Sequence, residues 1–512
     1  MAEPIASNKR AAKNAMMMTI RTIISTLVGL YTSRIVFNAL GVEDYGIYGA
    51  VGGIVGMLRF LNGAMAGATS RFITFELGRG DKSKLADTFS GTVWAHVIIA
   101  AFVFIVAEIA GVWFLNAKMN IPDGRMYAAN WVLQFSIISA VITIIQTPYN
   151  AALIAHERMS VYAYFDILNI TLKLLIVYLL QIGNFDKLIF YTGLLLAVSV
   201  MMQLIYRFYC ISHFDECHLR WRINTAILKP ILKYSALDLY GNLCYTVSNQ
   251  GRSILINLFF NVIHNAAASI ALTVQGIAAG LSSNISLSFR PQIIKLYACG
   301  DIRQMQTTMS NAIIFTLIMF SAIAVPSFFE ADFILKFWLG DPPQLASLFL
   351  QILLISYFFA IINNISTIAI HATGNIKRIS YISGSIYLSK VVIIYLFFRS
   401  GFESYAAFVI DTIMTVCIAL YSLFVVKKQI NRFQLSSYLL KILKLFFIII
   451  VTSIIPFFIC RYLPQSLTRL VVNTLSYILV ISILTYTTLL DTSSRIVVKK
   501  YINNIIFKLF RR

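Results

Sequence analysis

Residues 88–115 read TFSGTVWAHVIIAAFVFIVAEIAGVWFL, an apolar run that contains one carboxylate, Glu108. A helix of this length is longer than the hydrocarbon layer of a bilayer, which is about 30 Å thick. The whole chain of 512 residues is 59% hydrophobic and 12% charged, with a mean hydropathy of +0.78. Too little polar surface remains to cover a soluble core of that size. The sequence therefore predicts an all-α polytopic membrane protein.

Similar apolar runs recur along the chain and predict about fourteen transmembrane helices. We place them at residues 15–36, 45–68, 88–115, 127–148, 161–181, 188–208, 232–259, 267–289, 307–327, 345–369, 380–398, 404–426, 442–460 and 467–489.

The chain carries 42 Lys and Arg against 21 Asp and Glu, a net charge of +21. In a soluble protein this excess would suggest a nucleic-acid partner. Here most cations fall in loops on the side that carries both termini. Positively charged loops stay in the cytoplasm, so we predict cytoplasmic termini and no nucleic-acid partner.

The two halves of the chain show weak similarity to each other. Gly80-Asp81 recurs as Gly300-Asp301, and Arg158 recurs as Arg378, each 220 residues later. We therefore predict an N-lobe of six helices at residues 1–210 and a C-lobe of six helices at residues 230–428. The remaining predicted segments are a cytoplasmic amphipathic linker at 211–229, two extra helices at 429–490 and a basic cytoplasmic tail at 491–512.

A repeat of six helices crosses the membrane an even number of times, so both copies have the same orientation. Such lobes are related by a pseudo-two-fold axis along the membrane normal. We expect a cleft between the lobes that opens to each side of the membrane in turn.

Polar side chains follow one face of several predicted helices. Asp238, Asn242, Asn249 and Arg252 lie on one stripe of helix 7, because successive members are four, seven and three residues apart, which is close to one or two helical turns. Further polar positions recur on two other helices: Asp166, Asn169 and Lys173 on helix 5, and Lys390 on helix 11. Charged groups facing lipid are costly, so we expect these helices to line a polar lumen.

Cations outnumber acids inside the predicted helices. The cations are Arg21, Arg34, Arg59, Lys173, Arg252 and Lys390, and the acids are Glu108, Asp166, Asp238 and Asp411. Structural ion pairs would account for some of these charges, Asp166 with Lys173 or Asp238 with a neighbouring Arg. Placement near a membrane interface would account for Arg34, Glu108 and Asp411.

Arg21, Arg59 and Arg252 stand out as candidate ligands of an anion, since guanidinium groups bind phosphate through paired hydrogen bonds. This hypothesis requires that their guanidinium groups are not each held by a carboxylate.

Motifs of built-in enzymatic chemistry are missing from the sequence. No phosphate-binding GxxxxGK[ST] loop and no HExxH motif occurs. Cys210, His213, Cys217 and His218 cluster before helix 7, but their spacing is not that of a zinc site. We predict no enzyme activity, no cofactor and no metal.

The chain resembles the polysaccharide-export, O-antigen flippase-like branch of the multidrug/oligosaccharidyl-lipid/polysaccharide exporter (MOP) superfamily. The resemblance is carried by LGVEDYGIY at residues 40–48 and by PYNAALIAHERM at residues 148–159. It implies a flippase that moves a polyprenyl-pyrophosphate-linked oligosaccharide, an O-antigen, capsule or exopolysaccharide repeat unit, across the bacterial inner membrane by alternating access. Implied partners are the lipid-linked oligosaccharide, membrane lipids and, as a candidate, a glycan polymerase.

In related lipid-intermediate flippases, arginines of helices 1, 2 and 8 receive the pyrophosphate. Arg21 and Arg59 match the first two, whereas Arg252 lies on helix 7 and departs from the pattern. Two alternatives remain open: a drug or organic-cation antiporter on the same scaffold, and a non-transporting scaffold of a glycan-assembly complex.

Overall fold

A computed structural model describes the protein over most of the chain. It covers residue 14, most of residues 16–51, residues 59–118, 121–180, 186–221, 225–260 and 262–489, and residue 495. Within these ranges the chain forms helices and connecting turns and no strand. The predicted all-α class is confirmed.

The chain divides into two compact units, of which the first spans Met16–Asn242. Its helices are α1 (Met16–Gly29), α2 (Arg59–Arg79), α3 (Lys82–Val106), α4 (Met126–Ala155), α5 (Met159–Leu179), α6 (Lys187–His213) and the first half of α7 (Thr225–Phe259). A π-helical turn, Ala107–Gly111, continues α3 into a further helix, Val112–Lys118.

The second unit begins at Leu243, inside α7. Its further helices are α8 (Val262–Ala298), α9 (Ile302–Phe329), a short helix Ala331–Leu339, α10 (Ala346–Thr373), α11 (Lys377–Arg399), α12 (Ala406–Gln429), α13 (Leu435–Thr452, followed by Ile454–Tyr462) and α14 (Leu467–Thr488).

Eleven helices in the described part of the chain are long and apolar enough to cross a membrane. Each of the fourteen predicted segments overlaps a helix. Two of the remaining three helices, α2 and α7, extend beyond their apolar runs. The described part of α2 runs to Arg79, past Arg71 and Glu76, and α7 begins at Thr225, before Lys229. Hydropathy locates the membrane-embedded part of a helix and does not locate the helix end.

The packing order inside each unit repeats. In the first unit, α4 packs against α2, α3 and α6, and α5 packs against α6. In the second, α10 packs against α8, α9 and α12, and α11 packs against α12. These are the same pairs shifted by six helices, which confirms the predicted six-helix repeat.

Large apolar side chains cover the outward faces of the helices. On α12, Ile413, Leu420 and Phe424 are each more than half exposed. They are separated by seven and four residues and therefore lie on one face. Such a face is suited to lipid rather than to water.

Within the segment predicted as a linker, 211–229, the structure describes residues 211–221 and 225–229, and the last five of these already belong to α7. After α6 ends at His213, a 3₁₀ turn at Asp215–Cys217 buries Glu216 and Cys217. The boundaries given above for the N-lobe, the C-lobe, the two extra helices and the basic tail stay predictions.

Candidate functional site

In the first unit, Arg21 of α1 pairs with Asp166 of α5. The guanidinium Nε lies 3.4 Å from Asp166 Oδ2, and Ser25 Oγ donates to the same oxygen over 3.2 Å. The guanidinium also lies 5.5 Å from the ring centroid of Tyr162. The side chains of Arg21 and Asp166 are 18% and 28% exposed. This pair is therefore loose, partly exposed and balanced in charge.

In the second unit, three charged residues from three helices meet. Asp411 of α12 accepts hydrogen bonds from Arg252 of α7, over 2.7 Å, and from Lys390 of α11, over 2.5 Å. Arg252 and Lys390 are 4% and 1% exposed. We call Arg252, Lys390 and Asp411 the C-unit cluster. With all three groups ionised it carries one surplus positive charge.

Aromatic rings surround the two cations of the C-unit cluster. The guanidinium carbon of Arg252 lies 5.0 Å from the ring centroid of Phe408, and Lys390 Nζ lies 5.9 Å from that of Tyr387. A ring face attracts a cation and excludes water. The cluster is thus held where electrostatic interactions are strong, because the local dielectric constant is low.

The hypothesis requires that the guanidinium groups of Arg21, Arg59 and Arg252 are not each held by a carboxylate. Arg21 has a carboxylate neighbour, because its Nε lies 3.4 Å from Asp166 Oδ2. Arg252 is also held by a carboxylate, but Asp411 divides its two oxygens between Arg252 and Lys390. The surplus of positive charge lies in the second unit. The side chains of Arg34 and Arg59 lie outside the described residues.

The other predicted lumen residues are distributed over α5 and α7. Lys173 is exposed, and Asp166 pairs with Arg21 rather than with Lys173. Asn242 donates to the backbone oxygen of Asp238, one turn earlier, over 2.9 Å. Asn169 and Asn249 are half-buried. Whether these residues or Arg21, Arg59, Arg252 and Lys390 contact substrate stays a prediction.

Asp411 is a functional candidate that was not among the residues predicted to line the lumen. It is the sole acid among the 24 residues of α12. A lone carboxylate in an apolar helix indicates a buried partner, and that signal was present in the sequence. Which helix supplies the partner depends on the tertiary fold.

Glu108 lies in the π-helical turn that follows α3, and such turns are often found at functional sites. Its Oε2 accepts from Gln134 of α4 over 3.0 Å, while Oε1 is buried without a hydrogen-bond partner. A buried polar atom left in this state costs free energy. Glu108 is therefore a candidate coupling group of the first unit.

Two further polar contacts join residues near the ends of helices. His156, just after α4, hydrogen-bonds to Glu216 and stacks on Phe214 with ring centroids 4.0 Å apart. Burial raises the pKa of Glu216, but the hydrogen bond from His156, a backbone hydrogen bond and the charges of His156 and Lys82 together outweigh burial, so the pKa lies below the ordinary value of 4.5. In the second unit, Arg469 of α14 donates twice to the buried carboxylate of Glu330. These contacts fasten connections between helices.

The comparisons with known proteins concern the fold. The family model described as MatE matches residues 240–396. No curated protein sequence matches the chain. Among solved structures, an outward-facing multidrug resistance MATE family transporter of the MOP superfamily is 13% identical, with a TM-score of 0.70 over 83% of this chain and 96% of the other.

Two further structures are similar to the same extent. A MATE structure in the bent conformation is 12% identical, with a TM-score of 0.71 over 84% of this chain and 97% of the other. A MOP superfamily transporter from Pyrococcus furiosus, whose pocket of reversed polarity suggests a different function, is 14% identical, with a TM-score of 0.67 over 83% and 96%. The chain thus has the fold of these solved MATE structures.

Proposed function

We propose that the protein is a flippase that moves a polyprenyl-pyrophosphate-linked oligosaccharide from the inner to the outer leaflet of a bacterial inner membrane. The observation that carries the proposal is the C-unit cluster, in which two buried cations share one carboxylate. A membrane transporter of this kind needs an electropositive site for the pyrophosphate, and the polyprenyl tail stays in lipid.

The charge of the C-unit cluster is suited to a phosphate ligand. Burying ions is costly unless they are paired. Arg252 and Lys390 together carry two positive charges, whereas Asp411 carries one negative charge, so one positive charge is not balanced within the cluster. An anion that reaches the cluster supplies the missing negative charge. Arg252 then offers further N–H groups in a planar fork that matches phosphate oxygens. The unbalanced positive charge, which is costly to bury without a ligand, therefore favours binding of an anion.

Arg21 and Arg59 enter the proposal differently. Arg21 lies beside Asp166, with 3.4 Å between Nε and Oδ2, and this loose pair has to separate before Arg21 can turn its whole guanidinium group to an anion. Arg59 begins the described part of α2, and its role follows from the resemblance alone. We propose that Arg252 and Lys390 make the primary contact and that Arg21 and Arg59 act later in the cycle.

A solved structure with the same fold supports the proposal of an anionic substrate. The transporter from Pyrococcus furiosus is described as having a binding pocket of reversed polarity that suggests a different function. Pocket charge therefore varies on this scaffold, and with it the substrate class. The sequence stretches at residues 40–48 and 148–159 add the resemblance to polysaccharide exporters.

Transport of drugs or organic cations is the second candidate. One of the similar structures is described as a multidrug resistance transporter. In the first unit, Asp166 is 28% exposed and lies beside Tyr162, an acid with an aromatic neighbour that would suit a cationic ligand. Arg21 already neutralises this acid, which makes the second candidate weaker than the first.

The test of the proposed function uses cells that depend on this protein for surface polysaccharide. We expect Arg252→Ala, and to a smaller extent Arg21→Ala and Arg59→Ala, to cause lipid-linked glycan to accumulate in the inner leaflet. Arg399→Ala, an exposed cation at the end of α11, is the control. Wild-type surface polysaccharide in the Arg252→Ala strain, at normal protein level, would contradict the proposal. Resistance to organic cations that disappears in Asp166→Asn would favour the second candidate.

The proposal includes membrane placement. We propose a multi-pass protein of the bacterial inner membrane with both termini in the cytoplasm, because cationic loops concentrate on that side. Reporter fusions at each terminus test it: a reporter active in the cytoplasm alone should be active at both ends, and activity at one end alone would contradict the assignment.

A further inference from the structure

A polar pocket lies at one end of the second unit, apart from the C-unit cluster. It encloses 410 Å³ where the last turns of α8, α10 and α12 meet the first turn of α11. This volume lies in the range of small-molecule sites. The residues that matter for its chemistry are Tyr297, Thr373, Asn375, Arg378, Lys428 and Gln429.

The pocket is lined by two cations and no carboxylate. Arg378 lies in the first turn of α11 and Lys428 in the last turn of α12, and both are exposed. Neither makes a salt bridge with a residue in the described part of the chain. Asp and Glu are absent from the lining. Electrostatically, the pocket is therefore open to an anion.

The wall beside the cations is fixed by hydrogen bonds. Thr373 Oγ1 donates to Gln429 Oε1 over 2.8 Å, and Gln429 Nε2 donates to the backbone oxygen of Asn375 over 2.9 Å. Gly374 turns the chain between them with φ +77°, a conformation that glycine adopts without strain. The end of α10 is thus fastened to the end of α12 along one wall of the pocket.

The first unit has no such pocket lining at the repeated position. The residues 220 positions before Thr373 and Asn375 are Leu153 and Ala155, both buried. The residue 220 positions before Lys428 is Phe208. Arg378 alone has a cationic counterpart, Arg158. The polar lining is therefore a property of the second unit and not a requirement of the fold.

We infer that this pocket binds a phosphate-bearing anion, held by Arg378 and Lys428. Arg and Lys both bind phosphate oxygens strongly, and hydroxyl and amide groups at the wall supply further hydrogen bonds. The exposed apolar face of α12 reaches the pocket through Phe424, so an anionic lipid can place its headgroup here and its tail along α12. A soluble phosphate compound offers the same chemistry. This inference is independent of the substrate proposed above.

The test compares two double variants of the full-length protein with equal loss of charge. Arg378→Gln with Lys428→Gln removes both pocket cations. Lys377→Gln with Lys427→Gln removes their exposed sequence neighbours, which do not line the pocket. Native mass spectrometry of detergent-purified protein measures binding of phosphatidylglycerol, with phosphatidylcholine as the uncharged reference, and calorimetry measures binding of pyrophosphate. An unchanged melting temperature establishes that each variant is folded.

We expect the pocket variant to lose about tenfold in affinity for one of the two anions, while the neighbour variant stays within about twofold. Selective loss of phosphatidylglycerol binding identifies a lipid headgroup site, and selective loss of pyrophosphate binding identifies a site for a soluble ligand. Equal losses in both variants would overturn the inference, since they would indicate diffuse surface charge. Absence of binding of either anion to the wild-type protein would also overturn it.

Discussion

The two units of this protein hold their intramembrane charges in opposite ways. In the first unit, Arg21 pairs with Asp166, and both side chains are partly exposed. In the second, two nearly inaccessible cations meet one aspartate. The repeat thus conserves the packing order of the helices but not the charge they bury. Under the proposed function, the second unit supplies the electropositive site and the first supplies a looser, charge-balanced pair.

Removal of the shared carboxylate should have the largest effect. Asp411→Asn leaves Arg252 and Lys390 buried without a counter-charge, which should cost about 3–5 kcal/mol of stability. Thermal unfolding of purified protein in detergent measures this loss. The double variant Asp411→Asn with Lys390→Met should recover part of it, because one uncompensated cation is gone. An unchanged melting temperature in Asp411→Asn would show that the cluster is not buried as described.

The equivalent change in the first unit should be mild. Asp166→Asn breaks a partly exposed pair, and such pairs contribute about 1 kcal/mol or less. Ser25 can still hydrogen-bond to the amide, which further limits the loss. The same unfolding measurement applies. A loss as large as that of Asp411→Asn would remove the contrast between the units.

The smallest expected effect concerns the corner after α4, where His156 contacts Glu216. Because the pKa of Glu216 is lowered in the folded protein, its contribution is present above the ordinary value of 4.5 and is lost as pH falls through the lowered value. We expect Glu216→Gln to lower the free energy of unfolding by about 0.5 kcal/mol at neutral pH. The variant should also lose less stability than the wild type when the pH falls below 4.5.

Asp215→Asn, an adjacent and exposed change, is the control for this measurement. If wild type and Glu216→Gln lose stability in parallel on acidification, the contact is not the cause. The corner of the second unit at Arg378 has no such acid among its lining residues, so acid sensitivity of this origin should be confined to the first unit.

The fold was accessible from sequence because membrane helices are encoded locally. An apolar run such as residues 88–115 is long enough to identify α3 without knowledge of its neighbours. The ends of α2 and α7 were misplaced, because their charged terminal turns no longer carry a hydropathy signal. The charged positions inside the helices, Asp411 among them, were equally visible in the sequence.

The pairing of those charges was not accessible from sequence. A pair of Asp166 with Lys173, two turns along the same helix, was one alternative from the sequence, and in the structure Asp166 pairs with Arg21 of α1. Lys390 and Asp411 are 21 residues apart on antiparallel neighbours, and Arg252 is 159 residues from Asp411. Such contacts depend on how helices rotate and pack, which no local pattern specifies.

Lys390→Met tests the central claim most directly, because it removes the surplus positive charge and leaves Arg252 and Asp411 as a balanced pair. Purified wild type and variant are reconstituted into liposomes with a polyprenyl-pyrophosphate-linked oligosaccharide, and the rate of lipid flipping is measured. The account predicts a rate at least about tenfold lower for the variant, with its melting temperature retained. Flipping at the wild-type rate by Lys390→Met would contradict it.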